Sequence, residues 1–197
     1  MDNYYDEELE FHSSIKELPC LLKNSDGKSE LELNILKEKI TNIENVLYSE
    51  NFPYRDNKKT SYNNEYLKVI DIDSFAKYYL VNEIMHNHEL NNPRSCYFSL
   101  NNSDNLLKAG PVWDFDWSCY TKSTKLILQN SIYYDALFKT VEFNDRLNSL
   151  LETPNLNEKY ILEKIDEFRD IIAYSVKLDG ERWGTNCRDP KGPAFSS

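Results

Sequence analysis

Residues 106–118 read L-L-K-A-G-P-V-W-D-F-D-W-S. The apolar first half has the composition of a β-strand, as does C-Y-F-S-L at residues 96–100, and the polar segment N-N-S-D-N lies between them. Two such runs joined by a short polar turn predict a β-hairpin. Its second strand leads directly into Asp114 and Asp116, which stand one residue apart among aromatic side chains.

The two aspartates predict a metal site. In an extended segment alternate side chains share a face, so Asp114 and Asp116 are expected to point the same way. Carboxylates held close together raise each other's pKa unless a cation lies between them, and oxygen ligands suit a hard divalent ion. We therefore expect a divalent cation at Asp114 and Asp116. The alternative is a surface turn whose two acids face solvent.

A polar, proline-broken loop, H-N-H-E-L-N-N-P-R-S at residues 86–95, precedes the hairpin. Because a hairpin brings its two ends together, Glu89 is expected close to Asp114 and Asp116. The same loop would bring further polar side chains to this end: Asn91, Asn92, Arg94 and Ser95. A positioned acid, a polar loop and magnesium are the components that phosphoryl transfer uses. A metal site of His86, His88 and Glu89 is a second reading of the loop.

Helices are predicted on both sides of this unit. Apolar residues at three- and four-residue steps predict a helix over residues 29–49, with Ser29 and Glu32 as a capping box. A second helix is expected from a cap at Asp71 or Asp73 to about His86. Two more helices, one ending near Pro154 and one longer, follow the aspartates. The predicted fold class is mainly α with a small β-hairpin (α+β), and the many Tyr side chains are expected in its core.

Composition narrows the classes of function. The net charge of −10 would repel a phosphate backbone, so we expect no nucleic-acid partner. Four cysteines without a C-x-x-C pair, and three histidines, predict free thiols rather than a zinc site. No apolar run is long enough for a membrane span. The acidic N-terminus lacks a signal core, which is typical of an intracellular chain or of a piece of a longer secreted or surface protein.

Two segments together resemble the CotH family of spore-coat-type atypical protein kinases: N-E-I-M-H-N-H-E-L-N-N-P-R-S-C-Y-F (82–98) and A-G-P-V-W-D-F-D-W-S (109–118). V-I-D-I-D-S-F-A-K-Y-Y-L-V-N-E (69–83) is similar to that family's helix before the catalytic loop. Y-Y-D-A-L-F-K-T-V-E-F (133–143) is similar to the segment after its metal motif. The resemblance covers roughly residues 30–180.

The resemblance implies a protein-kinase-like fold and magnesium-dependent transfer of a phosphoryl group from ATP to Ser or Thr of partner proteins. It places Glu89 at the catalytic-loop acid, Asp114 at the metal-binding aspartate and Asp116 at its partner. It also assigns polar residues of the loop: Asn91 and Ser95 as nucleotide-binding positions, and Arg94 as a catalytic cation where Lys is common. The implied cofactors are Mg²⁺ and ATP.

The five glycines do not cluster into a phosphate-covering loop. We therefore expect residues 1–180 to form the helical C-terminal lobe alone, followed by a tail over residues 181–197. The nucleotide-binding N-terminal lobe would be missing, so we expect no activity from this piece by itself. The alternative function is a non-catalytic, pseudokinase-like module for protein association in a spore coat or cell-surface assembly. A nucleotide-sugar transferase with a D-x-D motif would need alternating strands and helices, which the chain lacks.

Overall fold

The computed structural model describes residues 9–23, 30–49, 64–100, 103–115, 119 and 124–184. It confirms the α+β class, because these residues are mostly helical with two small antiparallel hairpins. The strands are β1 (Glu10–His12), β2 (Pro19–Leu21), β3 (Phe98–Leu100) and β4 (Leu107–Ala109). The α-helices are α1 (Glu30–Leu47), α2 (Ile72–Ile84), α3 (Tyr134–Leu137), α4 (Val141–Leu151) and α5 (Glu158–Trp183). Short 3-10 helices cover Asn64–Lys68, His88–Asn91 and Pro154–Leu156.

The chain divides into two compact units, residues 1–148 and 149–197. The first unit contains both hairpins and every predicted site residue. The predicted extent of a single kinase-like lobe, residues 1–180, stays a prediction.

Helix α1 matches the predicted helix closely. Ile40, Ile43 and Leu47 are buried along one face, as the three- and four-residue spacing requires. Ser29 of the predicted capping box lies outside the described residues.

The hairpin of β1 and β2 was not predicted from the sequence. Phe11 pairs with Cys20 in its register, and the connecting turn is held by Glu44 of α1, which is fully buried. The Glu44 carboxylate accepts hydrogen bonds from Ile15 N at 2.6 Å and from Lys16 N at 3.4 Å. It also accepts from the Ser14 hydroxyl and the Tyr133 hydroxyl, each at 3.3 Å. One acid thus joins the first hairpin, α1 and the segment before α3.

Helix α2 begins as predicted at Asp71, whose side chain accepts from Ser74 N at 3.0 Å. Phe75 and Tyr79 are buried on one face of the helix. Ile84 near its end is 56% exposed, and the buried positions there are the polar residues Asn82 and Glu83.

The predicted hairpin is confirmed, but its strands are shorter than the runs 96–100 and 106–113. Phe98 pairs with Ala109 and Leu100 with Leu107. The other edge of β4 is also bonded, because Leu107 N donates to Val69 O at 2.8 Å and Leu107 O accepts from Asp71 N at 3.0 Å. The strand ends before Gly110, whose φ of +115° is a conformation that favours glycine.

An aromatic cluster forms the core of the first unit. Tyr79 meets Tyr134, Phe138 and Phe143 edge to face, with ring centroids between 5.0 and 6.3 Å apart. Phe75 and Tyr134 have the same kind of contact at 6.1 Å. Such pairs add to the stabilisation from burial. The expectation that Tyr side chains build the core is confirmed.

In the second unit, α5 is capped by Asn157, which accepts from Tyr160 N at 3.1 Å. The helix continues to Trp183, so the prediction of a tail from residue 181 is wrong for its first three residues. The helix includes Gly180 and ends at Gly184, which takes the left-handed conformation common at helix ends.

We predict that Glu44→Ala lowers the free energy of unfolding by roughly 3 kcal/mol, because it removes a buried carboxylate that accepts from two backbone N–H groups and two hydroxyls. Urea denaturation measures the change. Glu38→Ala is the control, since Glu38 is exposed on the same helix and its replacement should change stability by less than about 0.5 kcal/mol. Equal effects of the two substitutions would contradict the anchoring role of Glu44.

Candidate functional site

The loop that carries Glu89 is fixed to the end of α2 by Asn87, a residue to which sequence analysis gave no role. Asn87 is buried, and its backbone N–H and side-chain amide donate to the carbonyl and side-chain oxygen of Asn82, each at 2.9 Å. The Asn87 side-chain oxygen accepts from Glu89 N at 3.1 Å, which caps the 3-10 helix His88–Asn91. Asn is a common residue in such local caps, but its burial depends on the tertiary fold.

Glu89 is half-buried, and its Oε2 atom is shielded from solvent. Burial, and to a smaller extent the negative charge of Glu89, raise the pKa of the Cys96 thiol to about 11. The predicted closeness of Glu89 to Asp114 stays a prediction.

Ser95 links the loop to the segment after the hairpin. Its hydroxyl donates to Asp114 Oδ2 at 2.9 Å. Both residues have left-handed backbones, with φ of +48° for Ser95 and +64° for Asp114. Such conformations cost non-glycine residues free energy and are concentrated at functional sites. The contact confirms that the hairpin brings its two flanking segments together.

The expectation that Asp114 belongs to an extended segment is wrong. A residue with φ of +64° breaks the alternation of side chains, so the same-face argument for Asp114 and Asp116 does not hold. Asp116 itself lies outside the described residues. Within the described ranges, no three His, Cys, Asp or Glu side chains are grouped as a metal site, so the reading with His86, His88 and Glu89 gains no support there.

Asp114 has the properties that one ligand of a divalent cation needs. Its side chain is exposed, and its Oδ2 atom makes the hydrogen bond to Ser95. The second carboxylate oxygen is therefore available to a hard cation, which prefers such ligands. The residue types present fit magnesium, with Asp116 as the predicted second ligand.

The two remaining predicted residues lie on the same loop. Asn91 Oδ1 accepts from the Ser131 hydroxyl at 2.5 Å, which ties the 3-10 helix to the chain before α3. The Arg94 side chain is exposed, and its carbonyl accepts from the Cys96 thiol at 3.0 Å. Nucleotide binding by Asn91 and Ser95 and a catalytic role for Arg94 stay predictions.

Glu83 is a further residue that sequence analysis missed. It is buried in α2, and its two carboxylate oxygens accept from Ile127 N at 2.7 Å and Leu128 N at 3.0 Å. These bonds attach the segment that follows the aspartates to the helix that precedes the loop. An acid among the buried residues of a helix is the sequence signal that could have identified it.

The chain matches the family described as CotH kinase protein over residues 19–186, and it therefore belongs to the CotH family. No curated protein and no solved structure matches the chain significantly. The predicted kinase-like lobe thus has no structural neighbour to support it. Among the helices in the described ranges, none combines the length and the apolarity needed to cross a membrane.

The raised pKa of Cys96 predicts slow alkylation of this thiol. With Cys20, Cys119 and Cys187 replaced by Ser, about one Cys96 in a thousand should be thiolate at pH 8. The rate with iodoacetamide should then rise about tenfold per pH unit until about pH 11, because the thiolate is the reactive form.

The same assay tests the position of Glu89. Glu89→Gln removes a negative charge near the thiol, so the pKa of Cys96 should fall and alkylation at pH 8 should become faster. Glu65→Gln, on the 3-10 helix Asn64–Lys68, is the matched control and should leave the rate unchanged. An unchanged rate in Glu89→Gln would show that Glu89 lies elsewhere.

Proposed function

We propose that this chain takes part in the magnesium-dependent transfer of a phosphoryl group from ATP to Ser or Thr of a partner protein. Membership in a family described as kinase proteins supports the reaction class. The observation that carries the proposal is the hydrogen bond from Ser95 to Asp114, because it joins the loop acid's segment to the predicted metal ligand. Both residues hold unfavourable backbone conformations there.

Glu89 is proposed as the acid that orients the substrate hydroxyl and accepts its proton. Its backbone is fixed by Asn87, so the carboxylate is held by a buried support rather than by a free loop. Positioning of this kind supplies much of the rate in phosphoryl transfer, where the protein does little covalent chemistry.

Asp114 and Asp116 are proposed to bind Mg²⁺, which when bound neutralises the charge on the phosphate oxygens. Arg94 presents an exposed guanidinium that could contact a phosphate or an acidic partner group. Asn91 and Ser95 are proposed to line the nucleotide-binding side of the loop.

A non-catalytic module for protein association is the second candidate. The observation that favours it is the internal use of two polar groups of the loop: Asn91 Oδ1 accepts from Ser131, and Ser95 Oγ donates to Asp114. Groups engaged in this way stabilise the loop without a nucleotide. In this case the fold would serve a coat or surface assembly.

Replacement of Asp114 tests the catalytic proposal. Because this piece is expected to be inactive by itself, the assay uses the full-length parent protein. There Asp114→Asn should lower magnesium-dependent incorporation of labelled phosphate from ATP by about a hundredfold or more, because an amide is a weaker ligand and carries no charge. The assay measures label in the chain itself and in a mixture of Ser/Thr peptides.

Asp145→Asn, on the exposed face of α4, is the matched control and should retain full incorporation. Full activity in Asp114→Asn would exclude the metal role of Asp114. Absence of ATP binding by the wild-type chain, with or without magnesium, would favour the association module instead.

A further inference from the structure

An exposed indole lies directly before the predicted metal ligand. Trp113 is 60% exposed, and the preceding Val112 is 43% exposed. Single exposed apolar residues are common on protein surfaces and need no explanation by themselves. Here the exposed indole adjoins Asp114, whose strained backbone and bond to Ser95 mark the candidate site.

The indole is held in place rather than loose. Its ring meets Tyr97 edge to face, with centroids 6.3 Å apart and an interplanar angle of 77°. The Tyr97 backbone is in turn bonded to the hairpin, because its carbonyl accepts from Gly110 N at 2.9 Å. A ring supported in this way offers a rigid apolar surface at low entropic cost.

Charge alone would not hold a polyphosphate at this site. The chain carries a net charge of −10, and the site itself contributes the carboxylates of Glu89 and Asp114 against the guanidinium of Arg94. A nucleotide bound here therefore needs an attraction beyond the bound cation. Aromatic side chains supply one by stacking on a base, since every base has a π-face.

We propose that Trp113 is the surface on which the base of a nucleoside triphosphate stacks, while its phosphates lie at Asp114. This inference rests on the proposed phosphotransfer function and adds the part of the ligand that the acidic residues cannot recognise. Stacking is worth about tenfold to a hundredfold in affinity for one base. Because it does not depend on hydrogen-bond readout, GTP should use the same surface as ATP.

Calorimetric titration of the 197-residue chain tests the inference, with magnesium present and with either ATP or inorganic tripolyphosphate as the ligand. Trp113→Ala should weaken ATP binding by about tenfold to a hundredfold and leave tripolyphosphate binding within about twofold. Trp113→Phe should retain most of the ATP affinity, whereas Trp113→Leu, which keeps apolar bulk without a π-face, should behave like the Ala variant.

Trp183→Ala is the matched control, because Trp183 is 66% exposed at the end of α5 and should affect neither ligand. Thermal unfolding checks that each variant is folded, and the Phe and Leu variants keep the comparison valid if Trp113→Ala is not. If the wild type binds neither ligand, the proposed function fails and this inference fails with it. If the wild type binds ATP and Trp113→Leu binds it equally well, or if both ligands weaken together, the stacking role alone is overturned.

Discussion

Two adjacent buried residues of α2, Asn82 and Glu83, hold the segments on both sides of the hairpin. Asn82 bonds to Asn87 at the start of the loop, and Glu83 bonds to the backbone of residues 127 and 128. Buried polar groups are costly unless they are satisfied, so these bonds allow little freedom in where either segment lies. The loop before Ser95 and the backbone at residues 127 and 128 are thus both attached to the same turn of helix α2.

Helix α2 is itself held in place by further contacts. The aromatic cluster around Tyr79 and Tyr134 fixes its buried face. Near its first turn, the Ser74 hydroxyl accepts from Ala109 N at 3.1 Å, which attaches β4 to the helix. Loop, hairpin and following segment are therefore all positioned by one helix, and the candidate site is built between elements that share a rigid support.

Local patterns were sufficient to predict α1, α2 and the second hairpin. Each is encoded by residues close in sequence: the apolar spacing in α1, the cap at Asp71, and the two apolar runs around a polar turn. Family membership was also evident from short segments. The first hairpin was missed because its turn is held by Glu44, an acid about thirty residues away, and no local pattern reports such a bond.

The approach of the two segments that flank the hairpin was predicted, but the backbone geometry at their contact was not. The sequence indicated that Ser95 and Asp114 would approach each other, because a hairpin joins them. It could not indicate that both would adopt left-handed backbones, since that conformation depends on contacts made across the fold. The role of Asn87 was missed because its local cap looks ordinary until its burial is known. The partners of Glu83 could not be predicted because they lie 44 and 45 residues further along the chain.

A substitution can be unfavourable because the backbone conformation disfavours a side chain or because neighbouring atoms leave no room for one. Gly110 shows the first cause without the second. Its φ of +115° excludes side chains through the backbone, yet a Cβ atom at this position would meet no atom within 4 Å. The free-energy cost of replacing Gly110 therefore comes from the backbone conformation, both for alanine and for a bulky residue. A saturation library at this codon should divide into glycine and everything else, without the gradation by side-chain size that a crowded position shows.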